Sequence, residues 1–582
     1  MAGLSNMTWS EDACSHAVSW IQDCRANHTH CRSPSADRSL PSRLIDLGPG
    51  SFGPDGLARF EDPEKLEGLE RALVISTAKL DQKSTPYLAL SHCWGGTPPL
   101  LLNKSTLPDL TTAGISRETL KSDEARVLRH AISVTKSLGF QYLWVDCLCI
   151  QQDHAADRTD EIMQMNHVYS NAEVVLSASG ASKWSDGMII NRELTDMFVL
   201  LKFEQELAFL SPTVFWGELP LQSRGWAFQE HLLARRVLHF NTHQVIWECL
   251  SDTSGDGCDF PYWADACSFE RSWDEIRTMK DDSPEPTLRK SFGLRQIPDE
   301  ETASSLWKLV VRNYSKTQVT YANDRLTALS AVSKTFGEIA HLEPHSYMAG
   351  MWSAYLPDHL LWYASTSTPK HPVRYRAPTW SWASVASIQV EWRNVPDCEV
   401  RNYSCTVERA WVELKSKDIY GEVVGGGLRI KCPLCKMIRT PRGGNGRHTW
   451  IWDEHSTGLE ELFTPYTFGP HEPKANEIRV FWDDDLSASQ TAAAIYLASV
   501  KVLEKVHDNY YGPRDVMIVQ GLILRREEDM GTYKRTGLWE VTTPKSPLSP
   551  SLDGILAGIP LDPEAREFIQ DLGDGRYLID IV

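Results

Sequence analysis

The sequence lacks a positive charge excess, a long apolar run and a phosphate-binding loop. Its 582 residues carry a formal charge of -18. That argues against a nucleic-acid binder, which usually shows a basic face, and disfavours an anionic membrane surface. No apolar run reaches the roughly 18 residues that predict a membrane span. No Walker loop and no GxGxxG follows an apparent strand. The opening "MAGLSNMTWSEDAC" has neither a basic nor an apolar leader segment, so no signal or transit peptide is expected. Cysteine is too sparse and scattered for a disulfide framework: there are 13, an odd number. A reducing, cytoplasmic setting is the expectation. Repeats and low-complexity tracts are also missing.

What is present reads as a large globular chain. The length predicts two to four units, and 42% hydrophobic residues can fill a sizeable core. The 21 tryptophans predict a heavily aromatic interior. We expect an N-terminal helical cap over 1–45 and an α/β domain over 46–250. A mainly helical extension over 251–395 and a β-rich region over 396–582 follow.

The α/β expectation rests on alternation. "PSRLIDLG", "RALVISTAKL", "TPYLALSHCWGG", "YLWV" and "AEVVLSASG" read as strands. "SDEARVLRHAISVTKSLG" reads as a helix capped by Ser122 and stopped by Gly139. Val127, Ala131, Val134 and Leu138 form its apolar face. A second helix is expected over 157–171. Strand, helix, strand, helix, strand predicts parallel βαβ units. "RVLHF", "NTHQ" and "VIWECL" predict a hairpin, and residues 251–300 an acidic excursion. "VVGGGLRI", in the β-rich region, reads as a hairpin turn.

Three of these strands end in polar or reactive groups. One ends at Ser91, His92 and Cys93, a second at Asp146 with Cys147, Cys149, Gln151, Gln152 and Asp153, and a third at Ser177. Ligands bind beyond the carboxyl ends of parallel strands. The arrangement therefore predicts one crevice lined by His92, Asp146, Cys149, Gln151 and Ser177. The plainer reading is that such groups cap loops and that cysteines fill the core.

Metal is the weaker expectation. Cys24-x3-His28-x2-Cys31, with Cys14 a possible fourth donor, has zinc-like spacing, but local packing accounts for it more simply. Cys432-x-x-Cys435 stands alone in a strand-like run. We therefore assign no metal ligand and leave the cofactor open.

Four stretches, in order, resemble the motifs of the fungal heterokaryon incompatibility (HET) domain. They are "YLALSHCWGG", "YLWVDCLCIQQD", "EIMQMNHVYSNAEVVLSAS" and "RGWAFQEHLLARRVLHF". The leading "CRANHTHC", and later "APTWSWAS" and "GLILRRE", are similar to the flanking segments of such proteins. His92-Cys93 departs from the tyrosine-containing pair of many members. The resemblance implies non-self recognition and cell death when unlike fungal cells fuse. HET domains are in turn similar to TIR domains, α/β sheets that assemble and in some cases cleave NAD with a glutamate. That likeness implies Glu161 as the carboxylate, although an acid early in a helix also simply complements the dipole.

The expected partners are a small molecule or nucleotide at the strand ends, with Ser91, Gln151, Ser177 and Arg224 as binding groups. A protein partner or self-assembly is the other. Arg224 could pair with a carboxylate or phosphate. One alternative is an enzyme of a secondary-metabolite pathway, with Cys93 or Cys149 as nucleophile, His92 as base and Asp146 orienting it. The other is a binding scaffold without catalysis.

Overall fold

We analysed a computed structural model. It describes residues 5–32, 39–51, 59–66, 69, 71–191, 199–203, 206–210, 219–251, 253–255, 288–289, 292, 297, 299–365, 374–386, 389–392, 398–441, 448–451, 463–465, 478–482, 494–505, 516–544, 567–573 and 576–582. The expected acidic excursion over 251–300 falls mostly outside these residues. The chain divides into two compact units, Met1–Pro298 with Ala328–Ala340, and Asp299–Thr327 with His341–Val582.

The first unit is built on an eight-stranded mixed sheet. Its strands are β1 (Arg43–Asp46), β2 (Leu73–Ser76), β3 (Tyr87–Ser91), β4 (Tyr142–Trp144), β5 (Val174–Ser177), β6 (Arg236–Phe240), β7 (Val245–Cys249) and β8 (Thr253–Gly255). The order is β8-β7-β6-β5-β3-β4-β1-β2. β4, β3, β5 and β6 are parallel neighbours, as the alternation predicts for the first three. All five residues of β3 are buried, which suits an apolar strand at the centre of a covered sheet. β1 and β2 add antiparallel pairs at one side, and β6 and β7 form the expected hairpin.

Helices supply the crossovers. α1 (Glu11–Asn27) starts where Ser10 Oγ accepts the Ala13 N–H at 3.3 Å. It buries Ala13, Cys14, Ala17, Ile21 and Cys24 along one face. The crossover from β3 to β4 is α2 (Arg126–Ser137), shorter than its sequence implies. Asp123–Ala125 form a separate 3₁₀ turn, and Ser122 donates its hydroxyl to the Thr119 carbonyl instead of capping. The stop at Gly139 holds, at φ +82°. The single helix expected over 157–171 is two: α3 (Ala155–Met163) and α4 (Met165–Asn171), meeting at Gln164. α5 (Gly225–Leu232) precedes β6.

The second unit begins with α6 (Glu300–Ser315). The later helix α7 (Ser330–Ile339) belongs to the first unit. The C-terminal region is β-rich, as expected. β9 (Val423–Pro441), β10 (Ala494–Lys505), β11 (Val516–Arg526), β12 (Thr532–Pro544) and β13 (Arg576–Ile581) close into a small barrel. Closure comes from the parallel pairing of Thr532 and Tyr533 with Asp580 and Ile581. Closing the ring removes free edges among these strands. Leu428, Ile430, Val519, Leu522, Trp539 and Ile579 are buried. Tryptophan fills the interiors, as its abundance predicts: Trp144, Trp247, Trp307, Trp352 and Trp382 are each at most 1% exposed.

The glycine run is a correction. Gly425–Gly427 sit inside β9 rather than at a hairpin turn, paired with Glu413, Val412 and Trp411 of the adjoining strand. A Cβ on Gly427 would collide with the Trp411 ring, so the glycines make room for an indole lying over the strand. Gly427→Val should destabilise this unit by about 1–3 kcal/mol, the usual cost of overpacking. Thermal unfolding beside a Trp411→Ala, Gly427→Val double variant checks it, since removing the indole should restore most of the loss. No described helix is long and apolar enough to cross a membrane.

Candidate functional site

The parallel strands bring their carboxyl ends to one edge, with Ser91 opposite Ser177 and Ser177 opposite His239. Immediately past β4, Asp146–Cys149 form one helical turn. The chain therefore turns at the point where its polar groups begin.

His92 is buried, with its ring 4.5 Å from Trp184 edge-on and its Nε2 3.9 Å from Asp146 Oδ1. That separation exceeds a hydrogen bond, and Nε2 has no hydrogen-bond partner among the described residues. Burial lowers its pKa to about 4 against the pull of Asp146, so the ring is neutral at neutral pH. Asp146 is held by others: Trp94 Nε1–H donates to Oδ2 at 2.8 Å and the Cys147 N–H to Oδ1 at 2.6 Å. Arg224 donates from Nη1 to the His92 carbonyl at 2.5 Å.

The carboxyl that occupies the edge belongs to Glu230, on α5. It is fully enclosed, accepts the Ser91 hydroxyl, and hydrogen-bonds Tyr169. Burial raises its pKa to about 7, assisted by Asp146 and opposed by Ser91, Arg224 and Tyr169. Beside it, Ser91, Ser177, Leu221, Gln222, Ala227 and His231 line a narrow cavity, too tight for a water molecule.

The other expected site residues are spread around this centre. Cys93 packs with Leu221 and Ala227, and burial raises its pKa although Arg224 opposes the shift. Cys149 is fully buried and accepts the Val145 N–H at 3.5 Å; burial pushes it up to about 12 and Cys147 well above its usual value. Such thiols carry little thiolate at neutral pH. Gln151 turns to the loop, donating its N–H to Asp157 at 2.9 Å and its amide to Asp153 at 3.1 Å. Glu161 lies in the second turn of α3, not its first. Its polar neighbours are Ser42, Arg43, Asp157 and Asp160, and burial raises its pKa. Arg43 Nη2 is 3.8 Å from Glu161 and 2.5 Å from Asp157, so Asp157 holds the cation more closely.

A second buried network starts at Ser177. Its hydroxyl is 2.8 Å from that of Ser179, which lies 3.3 Å from His239 Nδ1. Nε2 of His239 and of His231 reach Glu248 Oε2 at 3.0 Å and 2.6 Å, and Arg289 reaches Oε1 at 2.7 Å. The donor types could hold a metal, but Arg289 already supplies the positive charge. His92, Asp146 and Cys147 also bring three donor atoms within 4.8 Å of one another; a fourth protein donor is not part of that group.

Residues 87–230 match the family described as heterokaryon incompatibility protein (HET). This stretch is a HET domain. It starts at the first residue of β3 and ends at Glu230, so the match encloses the polar edge from Ser91 to its carboxyl partner. The chain matches no curated protein and no solved structure.

The sequence did not single out Glu230, Tyr169, His239 or Glu248 as site residues. Glu230 stood inside a quoted motif without a role. For His239 and Glu248 the available signal was an ionisable residue inside an otherwise apolar strand, "RVLHF" and "VIWEC".

Proposed function

We propose that this chain acts in fungal non-self recognition and triggers cell death through its HET domain, with the Ser91–Glu230 edge as a nucleotide-cleaving site. The supporting observation is the buried Glu230 carboxyl at about pKa 7, hydrogen-bonded across the sheet edge to Ser91. A carboxyl whose pKa burial and a neighbouring charge shift toward neutrality is a common functional signature. Its ionised form can stabilise the positive ribosyl centre that develops as a glycosidic bond to nicotinamide breaks. Arg224 beside it suits a phosphate. Glu161 is the competing carboxylate, but it faces Arg43.

The test is NAD consumption by the purified protein at high concentration, with cell viability on expression as the parallel readout. Glu230→Gln should lose more than about 100-fold in turnover, the lower scale for a positioned acid–base or electrostatic group. Glu161→Gln should retain it. The reverse pattern transfers the role to Glu161; no turnover in the unaltered protein removes the hydrolase reading. Cell death without turnover would support the scaffold reading. Alkylation of Cys93 or Cys149 at neutral pH with loss of activity would support the cysteine mechanism, which their burial opposes.

A further inference from the structure

The N-terminal helix ends in three donors whose spacing alone did not define a metal site. Cys24 lies in the last turn of α1, His28 is its C-cap, and Cys31 closes the following 3₁₀ turn. The His28 N–H bonds back to the Cys24 carbonyl at 3.1 Å and the Cys31 N–H to the His28 carbonyl at 3.2 Å. This tight succession turns all three side chains to one place. The possible fourth donor, Cys14, is elsewhere, with its thiol on the Ser137 carbonyl at 3.6 Å. The structure instead supplies Cys249, the last residue of β7.

We propose that Cys24, His28, Cys31 and Cys249 form a structural zinc site that fastens α1 to β7 of the sheet. The donor atoms all lie within 4.8 Å of one another. In a tetrahedron with Zn–S near 2.3 Å and Zn–N near 2.0 Å, neighbouring donors are about 3.5–3.8 Å apart. Cys249 Sγ and His28 Nδ1 are 3.4 Å apart. Three cysteines and one histidine are a usual structural zinc set, and four protein donors leave no open position for catalysis. Cys24, Cys31 and Cys249 are at most 3% exposed.

The surroundings fit the charge of such a centre. Three thiolates and one Zn²⁺ sum to -1 once each thiol has released its proton. Arg236 Nε–H donates to Cys24 Sγ at 3.1 Å, and its Nη2 to the Cys31 carbonyl at 3.0 Å. The Ser251 N–H donates to Cys249 Sγ at 3.4 Å, and the Ser251 hydroxyl is 3.8 Å from Cys31 Sγ. The outer nitrogen of His28, Nε2, is 3.9 Å from Asp23 Oδ2. A carboxylate on the far side of a ligating imidazole is a common orienting device. Packing of small hydrophobic thiols does not explain the histidine among them; Arg236 serves both this group and Glu173, whose Oε1 is 3.1 Å from its Nη1. A disulfide would use two thiols and strand the third.

Metal analysis of the full chain, purified without chelator, tests the assignment. One zinc per chain is expected, and a thiolate-to-metal charge-transfer band on cobalt exchange. Cys31→Ser and Cys249→Ser should each lose the metal, and Cys14→Ser should keep it. Chelation should lower the unfolding temperature of the unaltered protein but not of Cys249→Ser. Should the cysteine variants fail to fold, the cobalt spectrum of the unaltered protein still decides. Three results would overturn the proposal: no zinc before or after addition of equimolar zinc, a disulfide among these cysteines in the unreduced protein, or full zinc content in Cys249→Ser.

Discussion

Replacing Glu248 with leucine is expected to cost the first unit about 3–5 kcal/mol, the scale for removing one partner of a buried ion pair. Glu248 is fully enclosed and accepts from His231, His239 and Arg289 at 2.6–3.0 Å. Burial alone would raise its pKa, yet Arg289 and the two imidazoles hold it well below the usual carboxylate value. Without it, a guanidinium 3% exposed keeps only the Ala234 carbonyl among its described hydrogen-bond partners. Urea unfolding followed by tryptophan fluorescence measures the loss. The variant carrying both Glu248→Leu and Arg289→Met should recover much of it, because no buried charge is then left alone. Equal stability of Glu248→Leu and the unaltered chain would show that the network carries no net weight.

Acidification should destabilise the same unit as pH falls from 7 to 5. His92, His130 and His239 each have a pKa lowered to about 4, chiefly by burial. His130 Nδ1 also accepts the N–H groups of Met188 and Ile189 at 3.1 Å and 3.0 Å, while Nε2 faces Glu64 at 3.1 Å. These groups titrate lower in the folded chain than in the unfolded one. The unfolded state therefore takes up protons between about pH 6.5 and 4, and stability is lost as pH falls through that window. Each histidine loses about 2 kcal/mol between pH 7 and 5. Glu230 acts in the opposite sense: its raised folded pKa returns about 2 kcal/mol over the same range. The net expectation is a loss of about 3–4 kcal/mol, read as a falling urea midpoint from pH 7 to pH 5. Glu230→Gln should steepen the fall and His92→Asn should flatten it. A midpoint rising toward pH 5 would refute the balance.

The fold was legible where one physical signal dominated. β3, β4 and β5 are apolar runs separated by helical periodicity, and the right-handed crossover then leaves few arrangements. Ser122 misled because a capping residue signals a boundary without saying which helix it serves; here it also closes the short helix Arg117–Lys121. The glycines of β9 misled because their reason is an indole on the neighbouring strand, a contact that local sequence does not display. At the polar edge, His92 and Asp146 were legible as strand ends. The partnership of Ser91 with Glu230 was not, because nothing local connects residues so far apart. Cys249 stayed hidden for the same reason: the zinc-like spacing near the N-terminus has its fourth member on a distant strand.

The bond between Ser91 and Glu230 spans 139 residues of chain. At ribosomal rates of about 5–20 residues per second, roughly 7–28 seconds separate the emergence of its two ends. For that interval β3 has its hydroxyl but no carboxyl to meet it, and His92 has no Arg224 on its carbonyl. A chain ended before residue 230 therefore has β3, β4 and β5 but neither the acid nor β6. The edge is complete only once synthesis has passed residue 230.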